Sequence, residues 1–151
     1  MSYLRYVPTV CILGAVIGFI SYTQLWVHVA DGFPWLENLT GAELINCDWG
    51  GFQAYIPTIM VVLSVMTIAV AFMTMTIPGF WFGSFICLIF GVAIMALTSV
   101  FSMWTVDGEK IIHFVDTGFW LSYAAGAVIL IGVAIHYSVM FKKPAKQRAR
   151  Q

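Results

Sequence analysis

Four long stretches without Asp, Glu, Lys or Arg constrain this chain more than any other feature. They cover residues 6–27, 54–77, 80–104 and 117–141. Even the shortest, at 22 residues, spans about 33 Å as a helix and exceeds a hydrocarbon core of about 30 Å. The 151-residue chain is only 9% charged, compared with about 25% in an ordinary soluble domain. The sequence therefore predicts a single all-α domain over 1–151, an integral membrane four-helix bundle.

The charges are segregated along the chain. Six of the seven basic residues flank its two ends: Arg5, Lys142, Lys143, Lys146, Arg148 and Arg150. All seven acids fall in the segments 28–53 and 105–116. The positive-inside rule then places both termini and the tail 142–151 in the cytoplasm, with both loops outside the cell membrane. Four antiparallel spans and a long first outer loop satisfy this arrangement.

Small residues at helical spacing predict where the helices pack. Hydrophobicity cannot drive helices together in lipid, so close packing and interhelical hydrogen bonds must do so. The positions concerned are Gly14, Gly18, Gly83, Cys87, Gly91, Ser122 and Gly126. We expect them to mark seams within one bundle, with the seam of a homo-oligomer as the alternative.

Several function classes find no support in the sequence. Proton relays and ion-coupled transporters usually carry ionisable groups at membrane depth, whereas the four stretches hold only His136. We expect this histidine at headgroup level, the alternatives being a haem ligand or a proton shuttle. The chain has no Gly-rich phosphate loop, nucleophile elbow or Cys-x-x-Cys. We therefore predict no catalytic residues, no cofactor and no nucleic-acid partner.

Two histidine–aspartate pairs on the predicted outer side share one spacing. They are His28-x2-Asp31 and His113-x2-Asp116. Positions three apart lie on one face of a helix, so each pair would present an imidazole and a carboxylate together. Such groups are ligands for Zn²⁺ or Cu²⁺. The spacing thus indicates a candidate metal site, although loops at a membrane surface are often rich in both residue types.

The first outer loop carries more apolar residues than a disordered loop would. Trp35, Trp49 and Phe52 are its candidate interaction surface, because aromatic anchors concentrate at protein interfaces. Packing against the lipid interface is the equal alternative. Asn38-Leu39-Thr40 is also a glycosylation sequon on this side.

One layout of motifs runs through the chain. A first helix ends near Trp26, a long loop contains Thr40-Gly41-Ala42-Glu43-Leu44, and the next helix opens with Tyr55 and Pro57. This layout resembles claudin-like tetraspan proteins and uncharacterised prokaryotic four-helix membrane proteins. The claudin Gly-Leu-Trp element has no counterpart here, and Cys47 is alone in its loop. The resemblance therefore implies topology and no junctional role.

Together these patterns favour a non-catalytic multi-pass protein that acts as an accessory or scaffolding subunit of a larger membrane complex. The bilayer and other membrane subunits would be its partners. A passive channel or small-solute transporter is one alternative. A metal-binding protein or enzyme subunit that uses the outer His/Asp pairs is the other.

Overall fold

The computed structural model describes residues 8–28, 38–47, 51–77, 79, 80, 82–106 and 108–141. They form four α-helices: α1 Pro8–Thr23, α2 Ile56–Thr76, α3 Gly83–Ser102 and α4 Thr117–Phe141. The prediction of a helical chain with four helices is confirmed. The last three are long and apolar enough to cross a membrane, while the 16 residues of α1 make a shorter apolar helix.

The helices form a ring in which α1 and α3 lie on a diagonal. Each of these two packs against both α2 and α4. The closest approach is between α1 and α4, where Gly14 meets the backbone of Ile129 and Ala125. Helices α1 and α4 run in opposite directions, since Cys11 lies beside Gly132 and Ser21 lies beside Gly118.

The inward faces of the helices carry many small or hydroxyl-bearing residues beside large apolar ones such as Ile94, Phe101 and Ile129, and the outward faces also carry large apolar residues. The inner face of α1 consists of Pro8, Cys11, Gly14, Ala15, Gly18 and Ser21. Its exposed positions include Leu13, Val16, Phe19 and Ile20. The same division holds on α3, with Gly83, Ser84, Cys87 and Gly91 buried and Phe85, Ile89 and Val92 exposed. A water-soluble bundle would carry charged and polar side chains on these outward faces.

Short strands, which the sequence analysis did not predict, join the segments at one end of the ring. Strand β1 (Leu25–Val27) pairs antiparallel with β2 (Leu39–Thr40), and β3 (Thr105–Val106) pairs with β4 (Glu109–Lys110). Short 3₁₀ turns cover Leu44–Asn46, Phe52–Tyr55 and Ile111–His113. We call the described residues 24–28, 38–47, 51–55, 103–106 and 108–116 the cap.

The first helix ends four residues earlier than the predicted boundary at residue 27. After Thr23 the backbone becomes extended, and the Gln24 carbonyl accepts a hydrogen bond from the Gly41 N–H at 3.3 Å. Val27 forms a further antiparallel bridge with Val115. The residues after α1 thus pair with the loop that follows them and with the loop between α3 and α4 instead of prolonging the helix.

Candidate functional site

Trp26 lies at the centre of the cap. Its side chain is fully buried, and its indole N–H donates a 2.8 Å hydrogen bond to the Ser21 carbonyl. The rings of Phe101 from α3 and Phe119 from α4 meet it edge-on, with centroids at 5.1 and 6.2 Å. A buried indole is stable when its single donor is paired and its rings are packed. Trp26 therefore ties together the ends of three helices.

The Thr40–Glu43 turn holds the first loop against this tryptophan. Glu43 Oε2 accepts hydrogen bonds from the Thr40 backbone N–H and hydroxyl, both at 2.9 Å, and the Glu43 N–H donates to Thr40 Oγ1 at 3.3 Å. This reciprocal pattern is a capping box. The pKa of Glu43 lies below its ordinary 4.5 because the Thr40 N–H, and then its hydroxyl, stabilise the carboxylate.

Two glycines allow the backbone to approach the indole. At Gly41 a Cβ atom would lie 2.8 Å from the Tyr22 carbonyl oxygen and 3.0 Å from Trp26 Nε1. At Gly118 it would overlap Trp26 Cδ1 and lie 2.8 Å from the Ser21 carbonyl oxygen. The first loop and the first turn of α4 therefore each reach Trp26 through a residue without a side chain.

His28 and Asp116 face each other where the two loops of the cap meet. The His28 N–H donates to the Phe114 carbonyl and the Asp116 N–H to the Trp26 carbonyl, each at 3.0 Å. These backbone bonds set His28 Nδ1 3.8 Å from Asp116 Oδ2. Nδ1 is shielded from solvent and has no hydrogen-bond partner among the described residues.

Asp116 also begins α4. Its carbonyl accepts the Phe119 N–H at 3.1 Å, and its Oδ1 accepts the Thr117 N–H at 2.5 Å and hydroxyl at 2.8 Å. The pKa of Asp116 lies below its ordinary 3.8, first because of the Thr117 N–H, with a smaller contribution from His28. A negative charge at a helix N-terminus is also favoured by the helix dipole.

The structure brings together only part of the candidate metal site. It joins His28 of one predicted pair to Asp116 of the other, whereas the spacing had suggested pairing within each segment. His113 is exposed with its ring 6.5 Å from that of Phe114. Asp31 lies outside the described residues, and no three His, Cys, Asp or Glu side chains converge within the part of the chain that the structure describes.

The candidate interaction surface is described only at Phe52. Its side chain is 59% exposed at the start of the turn that leads into α2. Trp35 and Trp49 lie outside the described residues. Other large apolar side chains exposed at this end are Met103 (75%) and Trp120 (59%).

The small residues expected at helix seams lie between helices. Gly14 and Gly18 of α1 face Ala125 of α4, and Gly18 also touches Ser64 of α2. Gly91 and Gly126 bring α3 and α4 together, Gly83 lies against Thr74, and Cys87 is buried on α3. Ser122 and Thr98 share a hydrogen bond of 3.1 Å between α4 and α3. All these contacts are made within a single chain.

Comparison with protein-family models, curated proteins and solved structures found no match.

A buried hydroxyl network is the feature that motif analysis missed. Besides its bond to Ser122, the Thr98 hydroxyl bonds the Ile94 carbonyl at 2.8 Å and approaches Met60 Sδ at 3.7 Å. The hydroxyls of Ser99 and Tyr123 form a second hydrogen bond between α3 and α4, at 2.8 Å. The signal was the 24-residue separation common to both pairs, which only becomes meaningful once α3 and α4 are known to pack.

Proposed function

We propose that this chain is a non-catalytic integral membrane protein, an antiparallel four-helix bundle that serves as an accessory or scaffolding subunit of a larger membrane complex. The observation that carries the proposal is the outward orientation of the large apolar side chains. On α2, Ser64, Thr67 and Ala71 are buried. Val62, Val65 and Phe72 of the same helix are each more than half exposed. Lipid tails are the solvent in which such a surface is stable.

Charge distribution supports the orientation. The basic residues at both ends of the sequence favour cytoplasmic termini. The cap, which carries Glu43, Glu109 and Asp116, would then face the outside of the cell membrane. The opposite courses of α1 and α4 support antiparallel spans.

Close packing argues against transport by a single copy. A Cβ atom at Gly14 would lie 2.8 Å from the Ile129 backbone nitrogen, and one at Gly126 would lie 3.2 Å from the Gly91 carbonyl oxygen. The four helices contain no Asp, Glu, Lys or Arg, so an ion would meet no compensating charge among them. A subunit that packs tightly within itself fits a structural role better than a conducting one.

Exposed side chains at the cap end are the proposed contact with a partner subunit. Phe52, Met103 and Trp120 are each well over half exposed, and aromatic residues and methionine are enriched at protein interfaces. We assign the partner contact to this end of the bundle because the exposed side chains lie beside the two loop segments, which hold all of the acidic residues.

The experiment is purification in gentle detergent from the native membrane followed by native mass spectrometry. A defined complex is expected, and it should be lost in a Phe52→Ala/Trp120→Ala variant. The matched control is Phe72→Ala, an equally exposed phenylalanine (59%) on α2, which should keep the partner. A chain that runs alone and conducts solute in liposomes contradicts the proposal and supports a channel.

A second candidate is metal binding at the outer face, favoured by the 3.8 Å approach of His28 to Asp116. Imidazole and carboxylate are both zinc ligands, and Asp31 and His113 are the further ligands that this hypothesis needs. Metal analysis of purified protein, with His28→Gln as the comparison, tests it. A metal content near zero in the unaltered protein removes it.

A further inference from the structure

The sequon Asn38-Leu39-Thr40 lies in the cap, and the structure describes all three of its residues. Asn38 is exposed and stands directly before β2. Leu39 and Thr40 are half-buried and pair with Val27 and Leu25 of β1, respectively. The asparagine that a glycosyl transfer would modify is therefore on the surface, while the rest of the sequon is held in a strand pair.

The strand register shows which part of the cap Asn38 belongs to. Because β1 and β2 run antiparallel, the residue before Leu39 lies at the end of the pair where His28 follows Val27. The His28 N–H donates at 3.0 Å to the Phe114 carbonyl of the loop between α3 and α4. A group attached to Asn38 would extend from the exposed surface of the cap, beside the junction of its two loops.

The hydroxyl of the sequon is already engaged in the folded cap. Thr40 Oγ1 donates to Glu43 Oε2 at 2.9 Å and accepts the Glu43 N–H at 3.3 Å. A sequon needs the hydroxyl of Ser or Thr two residues after the asparagine. Since the capping box holds this hydroxyl, the transfer is expected on the chain during its insertion, before the turn at residues 40–43 closes.

We propose that Asn38 is the acceptor of an N-linked oligosaccharide. Its side-chain nitrogen attacks the anomeric carbon of an oligosaccharide carried on a polyprenyl diphosphate. The new C–N bond forms, the bond from that carbon to the diphosphate oxygen breaks, and the nitrogen loses one proton as the polyprenyl diphosphate leaves. An oligosaccharyltransferase in the host membrane catalyses the step, and the proposal rests on the proposed orientation with the cap outside.

The test is synthesis of the full chain in the presence of endoplasmic-reticulum microsomes, whose membrane contains an oligosaccharyltransferase. We expect one glycan per chain, seen as a slower band in electrophoresis that peptide N-glycosidase removes. Mass spectrometry of the treated protein should then show aspartate in place of Asn38. Asn38→Gln should abolish the slower band, whereas Thr40→Ser keeps the hydroxyl and should retain it.

A second sequon distinguishes failure of this proposal from failure of the orientation. Asn46 is the other asparagine of the chain and is exposed in the same loop, and Asp48→Thr makes it an acceptor. A glycan on Asn46 of this variant but none on Asn38 would overturn the proposal and leave the cap outside. Absence of a glycan from both would overturn it as well, and labelling of Cys47 from outside intact cells would show whether the orientation fails with it.

Discussion

A single residue, Trp26, connects the helix ends to both loops of the cap. Its indole is held by the Ser21 carbonyl, by two phenylalanine rings and by Gly41 and Gly118. No other fully buried side chain in the part of the chain that the structure describes is larger. The stability of the cap should therefore depend on it.

Replacing Trp26 with alanine should destabilise the protein by about 3–5 kcal/mol, the usual cost of removing a buried large aromatic side chain. Thermal unfolding in detergent, followed by circular dichroism, measures the loss. Trp120→Ala is the matched control, since Trp120 is exposed, and it should leave the unfolding temperature nearly unchanged. Equal effects of the two substitutions would contradict the central role of Trp26.

Acid should weaken the cap through Glu43. Its pKa is lower in the folded chain than its ordinary 4.5, so the unfolded state binds the proton more readily and the folded state loses relative stability as the pH falls. The contribution is complete above about pH 4.5 and is lost as the pH drops through the folded-state pKa. Unfolding temperatures between pH 7 and pH 3 should fall less in Glu43→Gln than in the unaltered protein, with Glu109→Gln as the exposed control. Parallel curves for all three proteins would show that the capping box does not contribute.

At the scale of elements, the seam between α1 and α4 is the closest helix contact. Cβ atoms at Gly14 and Gly132 would lie within 3 Å of atoms on the opposing helix, including backbone nitrogen. Backbone cannot rotate away as a side chain can, so these positions require glycine.

Gly14→Ala should therefore separate α1 from α4 and destabilise the bundle by about 1–3 kcal/mol, the typical cost of overpacking. Unfolding in mixed detergent micelles measures it. Ala134→Val adds bulk to an exposed position of α4 and should have little effect. If Gly14→Ala left the stability of the bundle unchanged, α1 and α4 would not approach each other as closely as described.

At the scale of the whole molecule, three helices are long and apolar enough to cross a membrane. The proposed orientation has both ends of the chain in the cytoplasm. Cys47, in the cap, and Gln151, at the end of the tail, should lie on opposite sides of the membrane.

Labelling of intact cells with a membrane-impermeant maleimide tests this orientation. In a Cys11→Ala/Cys87→Ala background, Cys47 should react from outside. With Cys47→Ala and Gln151→Cys added, labelling should appear only after permeabilisation. The opposite labelling pattern would contradict the proposed topology. As a control, labelling after denaturation shows that each thiol can react.

The sequence by itself determined that there are four helices, approximately where they lie, and which small residues lie along them. The length of a stretch without charged residues and the helical spacing of small residues are local properties. They can therefore be recognised in the sequence alone. The end of α1 was misplaced because the segment after Thr23 is as apolar as a membrane span. Only the pairing of β1 with distant residues of both loops shows that it is strand.

Tertiary structure alone decided which distant groups meet. Sequence spacing suggested His28 with Asp31, whereas strand pairing across the cap sets His28 beside Asp116. Cys11 and Gly132 are 121 positions apart and meet only because α1 packs along α4. Contacts of this kind depend on how the helices are arranged around one another, and no local pattern in the chain encodes that arrangement on its own.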